Sequence, residues 1–290
     1  MRLQDLYTQY QPLLFSIAYR MLGTVTDAED IVQDVYLLVS EKVLDNVDNP
    51  KAYLCKMVTN RSLDVLKSAR KKREIYTGPW LPEPIIVEEN DPYLEVMKRE
   101  NISFAILILL EKLKPIERAI FILREVLDYD YSSIADILGR NEASCRKIFS
   151  RTKDKFPFLT LDDTVKADET KENTIHSFIS ALNGGNIQQL EKLLAQDVIL
   201  FSDGGGKVYS ALKPVQSKEL VIRFITNLIQ QFYKTTHTTP TIQLVNINGQ
   251  TGLLTSDQDQ IKTVICFQVD NKQIKEIYIV RNPDKLTHIN

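Results

Sequence analysis

Hydrophobic periodicity changes once along this chain, and that change constrains the fold more than any other feature. Up to about residue 155, apolar residues recur every three or four positions, as in amphipathic helices. From about residue 198, they fall mainly into short runs bounded by turn residues, as in strands, with one helical stretch at 218–232. The order predicts a helical part that is followed by an α+β domain.

The first helical segments carry a clear division into buried and exposed faces. Thr26 followed by Glu29 predicts a capping box at a helix start. An apolar stripe follows at helical spacing: Ala28, Ile31, Val32, Val35, Leu38 and Val39. Three acids of the same segment, Asp27, Asp30 and Asp34, would share an exposed face. A second helix should start at Asn49-Pro50 and run into basic residues that end near Arg73.

A proline-rich segment interrupts the helices between residues 75 and 92. Four prolines, one glycine and several acids predict an extended linker there. It also contains Trp80, the only tryptophan, so we expect the linker to dock on a domain; the alternative is that Trp80 only fastens it to the nearest helix. Helical periodicity resumes from Tyr93 to Leu113, and another helix should begin at Pro115.

The last third predicts an α+β domain. Two short helices are expected at about 173–183 and 187–195, a strand at 198–201 and a longer helix at 218–232. Four further strands are expected near 241–247, 251–256, 261–269 and 273–280, with turns at Asn248-Gly249 and Asp270-Asn271. These strands should form an antiparallel sheet.

Composition excludes several classes of protein. With 43% hydrophobic and 26% charged residues among 290, the chain falls in the ordinary globular class. No apolar run reaches the roughly 18 residues of a membrane span, and the first residues lack the layout of a signal peptide. Three widely separated cysteines predict free thiols in a reducing cytoplasm, with no disulfide framework and no metal site.

Charge is unevenly distributed although the net charge is only −2. One basic group lies at 67–73 and a second at 140–155, while Asp27, Glu29, Asp30 and Asp34 form a compact acidic group. Separate basic and acidic surfaces predict a phosphate-bearing partner and a protein partner. The alternative for either basic run is a solvated helix surface.

Residues 131–155 match a helix-turn-helix. Ala135 allows close approach of the two helices, Gly139 permits the turn, and Cys145 is a small apolar anchor. Cys145, Phe149 and Phe156 should face inward. The outward residues of the second helix are Arg146, Lys147, Ser150, Arg151 and Lys153, which could meet phosphates and base edges in a major groove. Some helix-turn-helix units bind no DNA, so the motif alone leaves the partner open.

The order of these motifs resembles a known family. Arg20-Met21-Leu22-Gly23, the segment from Asp27 to Val35, Asn49 to Leu54, and Asn60 to Asp64 resemble region 2 of extracytoplasmic-function (ECF) sigma factors. Residues 131–151 are similar to their region 4. The resemblance implies that Asp27, Asp30, Gln33 and Asp34 bind the clamp helices of the largest subunit of core RNA polymerase. It implies that the minus-ten element is read and melted by Asn60, Arg61, Lys67, Arg70, Lys71, Lys72 and Arg73. Arg140, Ser144, Arg146, Lys147 and Arg151 would read the minus-thirty-five element.

Three further motifs resemble the sigma-J-like group, whose members carry a SnoaL-like domain after region 4. They are Gly78 to Pro84, Asp203-Gly204-Gly205-Gly206-Lys207, and Asn282-Pro283-Asp284-Lys285-Leu286. The resemblance implies a cone-shaped α+β domain that takes over the role of a separate anti-sigma factor. The implied interdomain residues are Trp80, Pro82, Glu83, Pro84, Asp203, Gly204, Gly205, Gly206, Lys207, Asn282, Pro283, Asp284 and Lys285. The glycines lack the context and the Lys-Ser/Thr ending of a nucleotide-binding P-loop.

The resemblance implies five segments. They are region 2 at 1–74, a linker at 75–92, region 4 at 93–158, a second linker at 159–172 and the SnoaL-like domain at 173–290. Because no catalytic triad, carboxylate pair or metal cluster can be argued from residue spacing, no enzyme activity is expected. No cofactor, metal or membrane partner is expected, and the free protein should be monomeric; a small ligand in the C-terminal pocket stays open.

Two alternatives remain. One is an enzyme or small-molecule sensor in the last third, for which His176, His237 and His288 are sparse candidates and Asp257 and Asp259 read as strand-edge or turn residues. The other is a helix-turn-helix regulator without polymerase contact, which leaves the acidic helix unexplained.

Overall fold

The computed structural model describes residues 3–40, 49–86, 103–156, 169–236, 241–257 and 260–289. They form two compact units. The first contains the described residues up to 74 and those from 106 to 156. The second contains 75–86, 103–105 and all described residues from 169 onward. The segment after residue 74 therefore packs with the C-terminal part of the chain.

The first three helices of the first unit are α1 (Leu3–Leu22), α2 (Val25–Ser40) and α3 (Pro50–Glu74). The expected capping box at Thr26 and Glu29 is wrong, because α2 begins one residue before Thr26. Instead, Thr24 precedes the helix and its hydroxyl donates to Asp27, with 2.6 Å between the oxygens. The apolar stripe of α2 is buried except at Leu38, which is half-buried.

The helical segments that follow end with the two helices of the helix-turn-helix, and their first two residues, Phe104 and Ala105, belong to the second unit. These segments are α4 (Phe104–Glu111), α5 (Pro115–Phe121), a π-helical turn (Ile122–Val126), α6 (Tyr131–Leu138) and α7 (Glu142–Lys155). Side chains of Asp130 and Asn141 cap α6 and α7 by accepting from backbone amides three residues later. Gly139 lies between them at φ +61°, in the left-handed region that glycine tolerates. The helical periodicity predicted for 93–102 lies outside the described residues.

Polar contacts join the first three helices to the later helices within the first unit. Arg118 of α5 is buried and donates from Nη1 to the Met21 carbonyl of α1 and to the Glu111 carboxylate, each at 2.6 Å. Asn60 of α3 donates from Nδ2 to the Ile137 carbonyl of α6 at 3.2 Å. A buried guanidinium needs acceptors for its donors, and the two Nη1 bonds supply part of them although Nε has no partner among the described residues; keeping these bonds constrains how the helices are placed.

The second unit contains three helices and one mixed sheet. The helices are α8 (Glu169–Asn183), α9 (Ile187–Leu193) and α10 (Lys218–Thr236); α8 begins four residues before the expected position. The strands are β1 (Leu194–Asp203), β2 (Val215–Gln216), β3 (Thr241–Ile247), β4 (Gln250–Asp257), β5 (Gln260–Asp270) and β6 (Gln273–Val280). Their order in the sheet is β2-β1-β6-β5-β4-β3.

The expectation of an antiparallel sheet is wrong for one pair, because β1 runs parallel to β6. The long connection through α10 and four strands lets β1 join the sheet in that direction. Hairpins connect the other neighbours. Asn248 and Gly249 form the first turn, both at positive φ. The second is formed by Asn271 and Lys272, one residue later than expected.

Candidate functional site

The predicted polymerase-binding residues lie together on the surface of α2. Asp27, Asp30, Gln33 and Asp34 are all exposed. Leu37 extends their row by one turn and is 65% exposed, although sequence reasoning did not select it. The spacing 27, 30, 34, 37 is the signal that could have found it, because residues three or four apart share a helix face.

The predicted melting residues do not share one environment. Arg61 and Lys67 of α3 are exposed, and each lies near an acid: Arg61 is 3.8 Å from Asp34, and Lys67 is 2.8 Å from Asp64. Asn60 is half-buried because its amide is bonded to α6. The α3 backbone continues through residues 70–73, but the side chains of Arg70, Lys71, Lys72 and Arg73 lie outside the described residues.

The outer face of α7 carries the predicted upstream readers. Arg140, Arg146, Lys147 and Arg151 are exposed, and Ser144 is half-buried. Arg146 stacks over the Tyr131 ring, with 4.5 Å from Cζ to the ring centroid, and also pairs with Glu142.

Lys153, expected to face outward, differs from its neighbours. It is paired with Glu125 at 2.9 Å and lies over the Phe149 ring. Most of the exposed positive charge therefore lies in the first three turns of α7 and in the turn before it, with Lys155 exposed in the last turn.

Asp203 at the end of β1 is the centre of a buried polar cluster in the second unit. Its side chain is fully buried and accepts from the Tyr76 hydroxyl at 2.6 Å, the Leu81 amide at 2.9 Å and Lys285 Nζ at 2.7 Å. Tyr76 and Leu81 belong to the proline-rich segment. One carboxylate therefore anchors that segment at two positions.

Lys285 completes this anchor. Its ammonium lies 4.0 Å from the centroid of the Trp80 ring and 5.0 Å from that of Tyr76, and it donates to the Leu81 carbonyl. Asn282 Nδ2 donates to the Tyr76 hydroxyl at 2.8 Å. Burial, together with the Asp203 carboxylate, raises the pKa of Tyr76, so the phenol stays protonated and can donate.

Two of the glycines after Asp203 are required because a larger side chain would clash with neighbouring residues. A Cβ at Gly204 would lie 2.6 Å from the Ser210 hydroxyl, and a Cβ at Gly205 would lie 2.5 Å from the Asn282 amide. Gly205 and Gly206 are also at positive φ. Lys207 then pairs with Asp284 at 2.6 Å on the surface. The loop and the turn that contains Pro283 are thus closely apposed.

The rest of the segment includes three of the implied interdomain residues, but its partners His288 and Asn248 were not expected from the sequence. Pro82, Glu83 and Pro84 are buried, and the Pro84 carbonyl lies 2.8 Å from the His288 ring. Ile85 exchanges two hydrogen bonds with Asn248, at 2.9 and 3.1 Å. Asn248 was selected only as a turn residue; its second role depends on a contact distant in sequence.

A cavity of about 80 Å³ lies between the sheet and the helices α8 and α10. Alternate residues of β4, β5 and β6 line it, and α10 contributes Ile225, Leu228, Ile229 and Phe232. Its polar lining residues are Thr255, Thr263 and Arg281. Of the candidate acid-base residues, His176 is exposed and His288 contacts the segment; His237 and Asp259 lie outside the described residues, and Asp257 ends β4.

Known families match the helical part of the chain, and a known protein matches almost its whole length. Residues 6–72 match the family Sigma-70 region 2, and residues 103–156 match Sigma-70, region 4. The chain is 32% identical over 286 residues to the ECF RNA polymerase sigma factor SigJ of Mycobacterium tuberculosis, covering 94% of this chain and 90% of that protein. This chain is an ECF sigma factor. A probable ECF RNA polymerase sigma factor SigI from the same species is 28% identical over 187 residues, 64% of each chain.

The crystal structure of the SigJ extracytoplasmic function sigma factor of M. tuberculosis confirms the architecture of this ECF sigma factor. It superimposes with a TM-score of 0.78 at 29% identity, over 97% of each chain. The predicted fold class, two helical sigma regions followed by an α+β SnoaL-like domain, is confirmed. As an alternative sigma factor, the chain acts in transcription initiation, and its family is not enzymatic. Among the described helices, none is long and apolar enough to cross a membrane.

Proposed function

We propose that this sigma factor binds core RNA polymerase through the acidic row of α2, opens the minus-ten element with α3 and reads the minus-thirty-five element with α7. The observation that carries the proposal is the exposure of Asp27, Asp30 and Asp34 in one row. Exposed carboxylates in a row suit a basic protein surface, whereas the cations of α7 suit phosphates and base edges.

Run-off transcription with purified core polymerase tests this assignment. The chain should support promoter-specific transcripts, and the triple variant Asp27→Asn, Asp30→Asn, Asp34→Asn should lose binding to the core at least tenfold. Asp197→Asn, which neutralises an exposed acid of β1, is the control and should bind as the unchanged chain does. Equal binding by the triple variant would refute the role of the row.

The contact between α3 and α6 favours a state of the free protein in which the two sigma regions cannot bind both promoter elements at once. By their names, the two promoter elements lie about 25 base pairs apart, or roughly 85 Å along B-DNA at 3.4 Å per base pair. Asn60, a proposed melting residue, is 3.2 Å from the carbonyl of Ile137 in the helix-turn-helix. Both elements cannot be engaged while this bond holds, so α3 and α6 separate when the promoter is bound.

Energy transfer between labels on α3 and α6 tests the separation. Lys56 and Asp136 are exposed and can be replaced by cysteine, whereas the three native thiols are buried and would react slowly with label. Transfer should be high in the free protein and low in a complex with polymerase and promoter. High transfer in a transcribing complex would refute the separation.

The C-terminal domain is proposed to regulate, without catalysis, by holding the segment that follows α3. The Asp203 cluster supports this role, since it fixes residues 76–81, which come directly after the melting helix in the chain. The side chains that line the described part of the cavity include no carboxylate, imidazole or thiol, which favours ligand binding over acid-base chemistry. The factor is further proposed to act in the cytoplasm and to be monomeric when free.

A further inference from the structure

The cavity of the C-terminal domain combines an apolar wall with one cation. Side chains of α10 and of alternate strand residues form the wall, and Thr255 lies directly opposite Thr263 in the β4–β5 pair. Pockets of this kind bind molecules whose apolar body fills the space while a few polar groups set the orientation. The volume of about 80 Å³ is roughly half of that which holds benzene in an engineered protein cavity, so it encloses about three to five carbon atoms.

Arg281, just after β6, supplies the cation. Its Nη1 donates to the Tyr209 carbonyl, whereas its Nε is buried without a hydrogen-bond partner among the described residues. Burial lowers the pKa of this guanidinium, and no carboxylate in the described part of the chain pairs with it. Arg281 is half-buried, and its unpartnered Nε is a donor that an acceptor group within the cavity it lines could satisfy.

We propose that the cavity binds a small monocarboxylic acid, with its apolar chain against α10 and its carboxylate on Arg281. A carboxylate matches the planar fork of a guanidinium and brings one negative charge to one positive charge. A phosphate ester would bring nearly two negative charges into an apolar site with one cation, which disfavours it. Thr255 and Thr263 can orient a hydroxyl or keto group on the chain.

The same residue is bonded to the anchor of the proline-rich segment. The Arg281 backbone amide donates to the Asp203 carbonyl at 2.7 Å, and the Asn282 amide donates to the same oxygen at 2.9 Å. The Asp203 carboxylate holds Tyr76 and Leu81. A bound acid that shifts Arg281 would therefore also shift Asp203, which docks the segment. Only this effect on the segment rests on the proposed regulatory function; the binding of the acid does not.

Calorimetric titration of the full-length chain with butanoate, pentanoate and hexanoate, whose apolar chains have three to five carbon atoms, tests the site. One or more of these acids should bind saturably, and the alcohol of the same length should bind at least tenfold more weakly. Arg281→Met should weaken the acid at least tenfold and remove its advantage over the alcohol, while Arg281→Lys should keep part of it. Leu228→Phe, which fills the cavity, should abolish binding of both.

Three results would overturn the proposal: no saturable acid binding by the folded chain, equal binding of acid and alcohol, or unchanged acid binding by a folded Arg281→Met variant. The first two are measured on the unchanged chain, so they stand even if a variant does not fold. Trp80 fluorescence should change on binding, because the ring lies in the anchored segment. Transcription assays without acid test the sigma function separately, so the acid-binding proposal and the proposed sigma function can each fail without the other.

Discussion

The buried pair of Asp203 and Lys285 makes the anchored segment measurably dependent on one charge. The two side chains are 0% and 6% exposed, and their charged atoms lie 2.7 Å apart. Asp203→Asn keeps the shape and one acceptor oxygen but leaves the Lys285 ammonium without its counter-ion. The variant should therefore be destabilised far more than its size change implies.

The expected loss follows from the burial of both groups. Removing one partner of a buried ion pair costs about 3–5 kcal/mol, because the other charge stays buried and unpaired. With a urea dependence of about 1.5 kcal/mol per molar, the unfolding midpoint of the second unit should fall by about 2–3 M. Lys207→Met is the matched control. It removes the pair with Asp284, whose side chains are 54% and 64% exposed, and exposed pairs contribute about 1 kcal/mol or less.

The assay is urea unfolding of the full-length chain followed by tryptophan fluorescence. Trp80 is the only tryptophan, and its ring lies 4.0 Å from Lys285 Nζ, so the signal reports on the anchor itself. In a double-mutant cycle with Lys285→Met, the double variant should recover about 2 kcal/mol or more of the summed losses. A midpoint shift for Asp203→Asn no larger than that of Lys207→Met would refute the reasoning.

Three further predictions concern single local features. Gly205→Ala should cost at least about 1 kcal/mol more than Gly185→Ala, because both have φ near +60° but only the former Cβ would clash; equal midpoints in urea would contradict this. Replacing Arg146 and Arg151 by Gln should lower the salt slope of DNA binding by about 2, measured on a minus-thirty-five duplex, and an unchanged slope would place them off the phosphates. Asn141→Ala should destabilise α7 by about 1 kcal/mol, whereas Asn141→Asp should not; calorimetric unfolding that shows equal losses would exclude the cap.

Local signals predicted most elements, whereas contacts distant in sequence escaped prediction. The strands β3 and β6 were placed at their observed bounds, because turn residues mark their ends. The parallel pairing of β1 and β6 depends on residues about 75 positions apart, which no local pattern encodes. The start of α2 was predicted two residues too late, because Thr24 with Asp27 and Thr26 with Glu29 both have the spacing of a capping box.

Site residues divide in the same way. The acids of α2 and cations of α7 could be found because helical spacing alone puts them on one face. Asp203 was selected as a charged flank of a glycine loop, and its complete burial is visible only in the tertiary structure. Arg281 was missed because an arginine at the end of a strand usually reaches solvent. The partners of Asp203, which are Tyr76, Leu81 and Lys285, lie between 82 and 127 positions away in the sequence.

The chemistry of the Asp203 cluster suits a contact that must be both specific and reversible. Apolar packing of residues 76–81 would tolerate small shifts, because hydrophobic contacts are non-directional. The buried ion pair and its hydrogen bonds need one alignment, yet relative to apolar replacements such a pair adds little net stability. A modest pull on the backbone of Asp203 would misalign Tyr76 and Leu81 together, and the charges would then favour hydration. The segment should therefore leave its site in one step rather than loosen gradually.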